Sequence, residues 1–331
     1  MKRRFVALAA SAVVLVGVSA CGSAAKSPSA PAGAAKSGKA LNIGVIMLQG
    51  DQYFKGIQSG LEAAVKADGG TVIAANSNND AGTEAAAAQN MIQRQVDAIL
   101  MQPVTVAGSL ATMKSITNAN IPLICYGNCT AEATDPAVVK GVVQSNNTAL
   151  GTATGEAAAK YIKAKLGGSA TIGILNCDSA AETCKLRKTG FKKALADAGV
   201  KADYAADQEG FLADKATPVA TNMLSANPKI NLLWAANEGG TVGEVTAVKQ
   251  AGKVVPVFGT DISEQLAGFL LDSNNILQAT TGQDPKATAE HAYEEAKNAV
   301  AGKPNSPLEI QIPGITYLRD DPAAVNKFLG K

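Results

Sequence analysis

The feature that most constrains the fold is a regular alternation of short apolar segments and longer segments with helical spacing. Residues 41–47 form a near-continuous apolar run, and Phe54, Ile57, Leu61 and Val65 then recur at helical intervals. The alternation continues to about residue 126, restarts after 138–143 and runs on to 301. Strands that alternate with helices of this length form parallel sheets through βαβ crossovers. We therefore predict an α/β protein with two similar doubly wound parallel-sheet domains.

The start of the chain is predicted to be a targeting signal. Lys2, Arg3 and Arg4 precede an apolar run at 5–18, which is short for a membrane-spanning helix. The run ends in Val-Ser-Ala-Cys, which resembles the lipobox of bacterial lipoproteins and implies an acylated Cys21. The alternative is an ordinary signal peptide with a cysteine there by chance. We assign 1–20 to a signal peptide and expect a secreted protein, lipid-anchored to the outer face of the cytoplasmic membrane.

The chain beyond the signal begins with a segment of distinct composition. Residues 21–40 are rich in Gly, Ser, Ala and Pro, and are predicted to form a flexible tether. The first forty residues contain six basic residues and no acidic one, so the rest carries 24 basic against 28 acidic residues. A mildly acidic surface without a basic block argues against a nucleic-acid partner. We expect a monomer that contacts the membrane only through its lipid anchor.

Four cysteines remain when Cys21 is set aside, namely Cys125, Cys129, Cys177 and Cys184. An even number in an exported protein indicates disulfides. Three connectivities are open, of which the pairing Cys125–Cys129 with Cys177–Cys184 closes only short loops. The alternatives are a four-cysteine metal site and a bridge across the cleft. We expect neither, because zinc sites use tighter paired spacings and domain closure must be reversible. No metal or cofactor is predicted.

Several short motifs, in order and in register, resemble the ribose-type periplasmic binding proteins, which supply sugar ABC importers. The resemblance covers about residues 41–303. Each motif alone is weak, and their joint order and spacing identifies the family. They are Gln-Tyr-Phe at 52–54, Asn-Asn-Asp at 78–80, Val-Asp-Ala-Ile-Leu at 96–100 with Pro103, Gln-Ser-Asn-Asn at 144–147, Phe-Gly-Thr-Asp at 258–261 and Gln-Asp-Pro at 283–285.

The resemblance implies a chain that crosses between its domains three times. The first domain is expected at 41–145 plus 284–307, and the second at 146–283 plus 308–331. It further implies that hinge closure traps a small polar ligand, a monosaccharide or polyol, and presents it to a membrane ABC permease. The alternative function is a sensor that presents a bound sugar or a furanose-like signal to a receptor.

The first group of expected ligand-binding residues follows the first strand. Tyr53 and Phe54 match the positions at which the family stacks aromatic rings on sugars, since an aromatic face fits the apolar face of a sugar ring. The alternative is that both rings pack on the helix they begin. Asp51 and Gln52 lie beside them and are expected to hydrogen-bond hydroxyl groups.

The second group lies in the second half of the chain. Asn237, Asp261 and Gln283 each follow a predicted strand and match positions where the family hydrogen-bonds sugar hydroxyls. Asn and Gln supply donors and acceptors, and Asp accepts from two hydroxyls. For Asp261 the alternative is an N-cap of the next helix, for which Ser263 is better placed.

Two departures from the family make ribose itself doubtful as the ligand. Where the family usually has Asp-Arg after the fourth strand, this chain has Gly127 and Asn128. In the second half, an expected Arg is replaced by Lys185, which cannot make the planar fork of Arg. We include Asn128 and Lys185 among the ligand-binding residues. Arg187 is retained and is expected to be structural.

The sequence does not predict an enzyme. The one histidine, His291, falls within a predicted helix and is expected to be structural. No serine nucleophile elbow and no glycine-rich phosphate loop follows the first strand, which continues as Gln-Gly-Asp-Gln-Tyr at 49–53.

Overall fold

The computed structural model describes residues 40–331 apart from 51, 130–134, 178 and 180. The expected signal peptide, Cys21 and all of the tether except Ala40 therefore lie outside the described residues, as does Asp51. Within the described chain, no helix is both long enough and apolar enough to cross a membrane.

Two six-stranded sheets organise the described chain, in agreement with the predicted fold class. We call each sheet, with the helices packed against it, a lobe. The first sheet has the order β11-β5-β4-β3-β1-β2. Its strands are β1 (Asn42–Met47), β2 (Thr71–Asn76), β3 (Ala98–Met101), β4 (Leu123–Tyr126), β5 (Gly141–Ser145) and β11 (Glu309–Ile312), and its helices are α1 (Gln52–Ala67), α2 (Ala81–Gln93), α3 (Val106–Asn118) and α9 (Pro285–Val300).

The second sheet has the corresponding order β12-β10-β9-β8-β6-β7. Its pairings are parallel except between β10 and β12, which are antiparallel. Its strands are β6 (Ser169–Asn176), β7 (Lys201–Glu209), β8 (Leu232–Ala235), β9 (Val257–Thr260), β10 (Leu277–Gly282) and β12 (Ile315–Leu318), and its helices are α4 (Asn147–Lys165), α5 (Glu182–Asp197), α6 (Ala213–Ala226), α7 (Glu238–Gln250), α8 (Glu264–Leu271) and α10 (Pro322–Phe328).

Both faces of each sheet are buried, which explains the near-continuous apolar runs in the sequence. Along β8, Leu233 and Ala235 join one apolar cluster, whereas Leu232 and Trp234 join the cluster on the opposite face. Strand geometry requires this alternation when helices cover both faces. The core is therefore divided into four clusters, two for each sheet.

The chain passes between the sheets at three described points: between β5 and α4, between β10 and α9, and between β11 and β12. The third crossing falls after Ile312, whereas the sequence placed it after 307. The difference arises because Glu309–Ile312 pairs in parallel with β5 of the first sheet before the chain reaches β12. This pairing is non-local, and no local sequence pattern indicates which sheet such a short strand joins.

Helices α4 and α5 pack unusually closely through glycines. A Cβ atom at Gly151 would overlap the carbonyl oxygen of Arg187 and lie 2.7 Å from its carbonyl carbon. A Cβ at Gly190 would lie 2.8 Å from the backbone nitrogen of Thr152. The close approach fixes the position of α5, and with it the side chain of Arg187.

We expect Gly151→Ala to destabilise the protein by about 2 kcal/mol, because the added methyl group must push two backbones apart. Urea unfolding measures the change. Gly268→Ala in α8 is the matched control, since no atom beyond its chain neighbours and its own helix backbone lies within 4 Å of the added methyl group. The control is expected to be neutral or stabilising by about 0.5 kcal/mol. Equal stabilities for the two variants would contradict the close packing.

Candidate functional site

A cavity of about 590 Å³ lies between the two lobes. Its walls are formed by residues that follow the carboxyl ends of strands in both sheets, which is where open α/β sheets bind ligands. The volume is within the range of roughly 300–1,000 Å³ that is typical of small-molecule sites. We take this cavity as the candidate binding site.

The first-lobe wall begins at the start of α1, where Gln52, Tyr53 and Phe54 all line the cavity. The two rings contact each other edge to face, with centroids 5.3 Å apart. Phe54 is largely buried in the core of the first lobe. It therefore packs within its own lobe, which was the alternative to stacking on a sugar. The Tyr53 hydroxyl is buried without a well-aligned hydrogen bond, and burial raises its pKa to about 12. Tyr53 is therefore a neutral phenol at all physiological pH values.

Gln52 also connects the two lobes directly. Its Oε1 accepts a hydrogen bond of 3.3 Å from the backbone nitrogen of Glu264, at the start of α8. This hydrogen bond joins the first turn of α1 in the first lobe to the first turn of α8 in the second lobe.

The second-lobe wall contains an ion pair between Arg187 and Asp261. Arg187 Nη1 lies 3.1 Å from Asp261 Oδ1. The same guanidinium donates to the carbonyl oxygen of Ala236 at 2.9 Å and, through Nε, to Asn147 Oδ1 at 3.0 Å. A planar guanidinium suits this task because its donors point in fixed directions. Arg187 thus orients several polar groups at the cavity wall.

Asp261 is held in a strained conformation. Its φ angle is 73°, in the left-handed region that non-glycine residues adopt at some cost. The carboxylate Oδ2 accepts from the backbone nitrogen of Glu238 at 3.0 Å, at the positive end of α7. The backbone and the side chain are therefore both constrained, so that the carboxylate stays at the cavity. The helix-cap alternative is wrong, because Ser263 caps α8 by accepting from Leu266.

Asn237 and Gln283 also line the cavity, and both make hydrogen bonds within the protein. Asn237 Oδ1 accepts from Gly240 and caps α7, while its Nδ2 donates to the carbonyl oxygen of Phe211 at 2.8 Å. Gln283 Nε2 donates to Ser145 Oγ at 3.0 Å, which links two of the crossing segments. Ligand contact by these two residues stays a prediction.

Lys185 does not line the cavity, in contrast to the expectation from the sequence. Its side chain is about half exposed, and its Nζ lies 4.0 Å from Glu182. The reason is helical geometry: Cys184 and Arg187 lie on the buried face of α5, and Lys185 is rotated about 100° from Cys184. The neighbouring Arg187, which the sequence suggested was structural, instead lines the cavity.

Both disulfides have the local connectivity, Cys125–Cys129 and Cys177–Cys184, with Cα–Cα distances of 6.1 and 5.8 Å. Each lies beside the cavity: Gly127 and Asn128, within the first loop, line it, as do Cys177 and Cys184. Among the described residues, no group of three or more His, Cys, Asp or Glu side chains could hold a metal ion. His291 is exposed on α9 and does not line the cavity.

Among the lining residues that the sequence did not single out are Gln102 and Phe211. Gln102 directly follows β3, and Phe211 lies just after β7 with 59% of its surface exposed. Both follow the carboxyl end of a strand, so the strand-end rule could have found them. Phe211 was missed because β7 ends at Glu209 in a polar stretch, whose composition does not indicate where the strand ends.

The fold and the site together define a two-lobed ligand-binding protein. A family model described as "Periplasmic binding protein domain" matches residues 43–304. The chain therefore belongs to the periplasmic binding protein family, and the resemblance seen in the sequence is confirmed. Because this is a family of binding proteins, the expectation of a non-enzymatic protein is confirmed by the membership.

Individual relatives agree with this assignment. The chain is 29% identical to the ABC transporter periplasmic-binding protein YphF of Escherichia coli, over 86% of this chain and 87% of that protein. It is 26% identical to the ribose import binding protein RbsB of Bacillus subtilis, over 76% and 78%. It is 27% identical to a xylitol-binding protein of Mycolicibacterium smegmatis, over 77% and 69%.

A solved structure of a solute-binding protein from Actinobacillus succinogenes, with bound D-allose, superposes with a TM-score of 0.75. The superposition covers 86% of this chain and 99% of that one, at 25% identity.

Proposed function

We propose that this chain is the solute-binding component of an ABC importer and holds a small uncharged sugar or polyol between its lobes. The names of the relatives, which include ABC transporter, ribose import and xylitol-binding proteins, support the class. The observation that carries the proposal is the chemistry of the cavity wall, which is rich in amides and aromatic rings and contains few charges.

The amide side chains suit hydroxyl groups. Each amide offers both a donor and an acceptor, and each hydroxyl can match either. A wall of this kind can bind a ligand that carries a hydroxyl on nearly every carbon. The amides are Gln49, Gln52, Gln102, Asn128, Asn147, Asn237, Gln265 and Gln283.

The charges on the wall favour an uncharged ligand. The acidic and basic lining residues in the described chain are Arg187, Asp261 and Glu238, and the first two pair with each other. An anionic ligand would compete with Asp261 for Arg187 and would face Glu238. A neutral hydroxyl can instead donate to the carboxylate and accept from the guanidinium without disrupting their pairing.

Aromatic rings on both lobes complete the proposed site. Tyr53 lies on the first lobe and the exposed Phe211 on the second. Ring faces match the apolar C–H surface of a sugar or polyol. We propose that closure places Phe211 against the ligand, which would account for a large exposed aromatic side chain at the edge of the cavity.

The proposed mechanism is closure about the three crossings. Contacts from both lobes favour the closed arrangement, because the ligand binds that arrangement more tightly. We propose domains at 41–145 plus 284–312 and at 146–283 plus 313–331, with the last boundary moved to follow strand pairing. The closed form would then deliver ligand to the ABC permease.

We further propose that a lipid on Cys21 anchors the protein outside the cytoplasmic membrane. The family is extracytoplasmic, and the N-terminal pattern of the sequence supports the anchor. Replacing Cys21 by Ser should release the protein into the soluble extracytoplasmic fraction. Retention in the membrane fraction would contradict the anchor.

A thermal-shift screen of the full chain tests the proposed function. One set of ligands contains neutral sugars and polyols, and the other contains amino acids, sugar acids and inorganic phosphate. A neutral ligand at a hundred times its dissociation constant should raise the melting temperature by about 5 °C. A shift with charged ligands alone would contradict the proposed function, and calorimetry on each hit measures the affinity.

A further inference from the structure

Gln102 occupies an unusual position in the first-lobe wall. It follows β3, lines the cavity and is only 7% exposed. Its Oε1 is buried and has no hydrogen-bond partner in the described chain. A buried amide oxygen without a partner is costly, so its presence calls for an explanation.

The side chain of Gln102 lies over Gly127, which follows the neighbouring strand β4. A Cβ atom at Gly127 would overlap Gln102 Oε1 and lie 2.7 Å from its Cδ. Gly127 also has a φ angle of 77°, which side-chain-bearing residues rarely adopt. The space above position 127 is therefore filled by the amide of Gln102 and not by a side chain from the β4 loop itself.

The β4 loop is held firmly under this amide. The backbone nitrogen of Gly127 donates to the carbonyl oxygen of Val143 at 2.8 Å, and the Cys125–Cys129 disulfide closes the loop. By contrast, the terminal torsion of a glutamine amide is soft. A half-turn about this torsion exchanges the positions of the amide oxygen and nitrogen of Gln102, so that the amide can present a donor or an acceptor while the loop stays in place.

We propose that Gln102 is a specificity-determining ligand contact, whose amide hydrogen-bonds a hydroxyl of the bound sugar or polyol. The inference rests on the proposed function and adds a named residue to it. A ligand hydroxyl supplies the partner that Oε1 lacks. Because the site is built around this hydrogen bond, it discriminates against a ligand without a hydroxyl at that point.

Calorimetric titration of the full chain with D-ribose, D-allose, xylitol and myo-inositol provides the test. Gln102→Met is the primary variant, since it keeps the length and packing over Gly127 but removes the amide. Gln102→Ala is the second variant. Both should weaken binding of the best probe at least tenfold, with melting temperatures of the unliganded variants close to that of the wild type. Gln89→Ala, an exposed amide on α2, is the matched control and should bind normally.

The outcomes separate the two proposals. If the wild type binds a probe and Gln102→Met binds it within twofold of the wild type, the inference is wrong while the proposed function stands. If the wild type binds none of the four probes and no other neutral sugar or polyol of the thermal-shift screen, the proposed function fails and the inference fails with it. A tenfold loss in Gln102→Met, together with normal binding by Gln89→Ala, supports both.

Discussion

Replacing Arg187 by alanine should weaken ligand binding at least 100-fold, equivalent to about 2.7 kcal/mol. The guanidinium holds Asp261, Asn147 and the carbonyl oxygen of Ala236 at the cavity wall. Its removal leaves the Asp261 carboxylate without its cationic partner and removes a charged donor to ligand hydroxyls. Arg187→Lys keeps the charge but cannot bond all three partners, so we expect about a tenfold loss.

Calorimetry with the best ligand from the screen measures these affinities. Lys185→Ala is the matched control, because Lys185 lies on the same helix, carries the same charge and does not line the cavity. The control should bind as tightly as the wild type. An affinity for Arg187→Ala close to that of the wild type would refute the role given to the ion pair. Equal losses in Arg187→Ala and Lys185→Ala would point to a general charge effect.

The second large effect concerns stability and its dependence on pH. Glu295 on α9 is only 2% exposed, and neither of its carboxylate oxygens has a hydrogen-bond partner within the described chain. A nearby donor, Asn305 Nδ2, already bonds the carbonyl oxygens of Lys140 and Glu295. Burial raises the pKa of Glu295 from 4.5 to about 8. The side chain is therefore largely protonated in the folded protein at neutral pH.

The direction of the pH effect is set by this raised pKa. Between pH 4.5 and 8 the folded protein holds a proton on Glu295 that the unfolded chain releases, so stability falls as pH rises across this window. Each pKa unit corresponds to about 1.4 kcal/mol, so the total loss from this group is on the order of 5 kcal/mol. The fully buried Glu244 also has a raised pKa and acts in the same direction.

Glu295→Gln should remove most of this pH dependence, because glutamine does not titrate. Urea unfolding at pH 5 and pH 8 measures the difference. The wild type should lose more stability between these two values than the variant does. Glu290→Gln is the matched control, since Glu290 lies exposed on the same helix. If the wild type and Glu295→Gln lose the same stability between pH 5 and pH 8, Glu295 does not titrate as proposed.

The sequence predicted most of the fold because local patterns determine it. The helical spacing of Phe54, Ile57, Leu61 and Val65 predicted α1, and the apolar run at 41–47 predicted β1 with only a small shift at its start. The elements after residue 301 were missed: β11, β12 and α10 are short, and non-local contacts position them. Arg319, for example, follows β12 and donates to the carbonyl oxygens of Phe269 and Asp272 at the end of α8.

The site was predicted in part, for reasons that differ by residue. Tyr53, Asp261 and Gln283 were predicted from their match to family positions at the ends of strands, and all three line the cavity. Lys185 was assigned by its match to a family motif. A motif match does not show whether a residue lies on the buried or the exposed face of its helix. The place of Gln102 at the end of β3 could be predicted from the sequence, but its packing over Gly127 could not, because only the paired strands β3 and β4 bring these residues together.

The most direct test of the proposed site is a crystal structure of the protein with the neutral ligand that gives the largest thermal shift. We expect the ligand to lie between the lobes, with its hydroxyl groups bonded to Gln102 on the first lobe and to Arg187 or Asp261 on the second. A ligand bound outside the cavity, or one that contacts a single lobe, would contradict the proposed site and its closure.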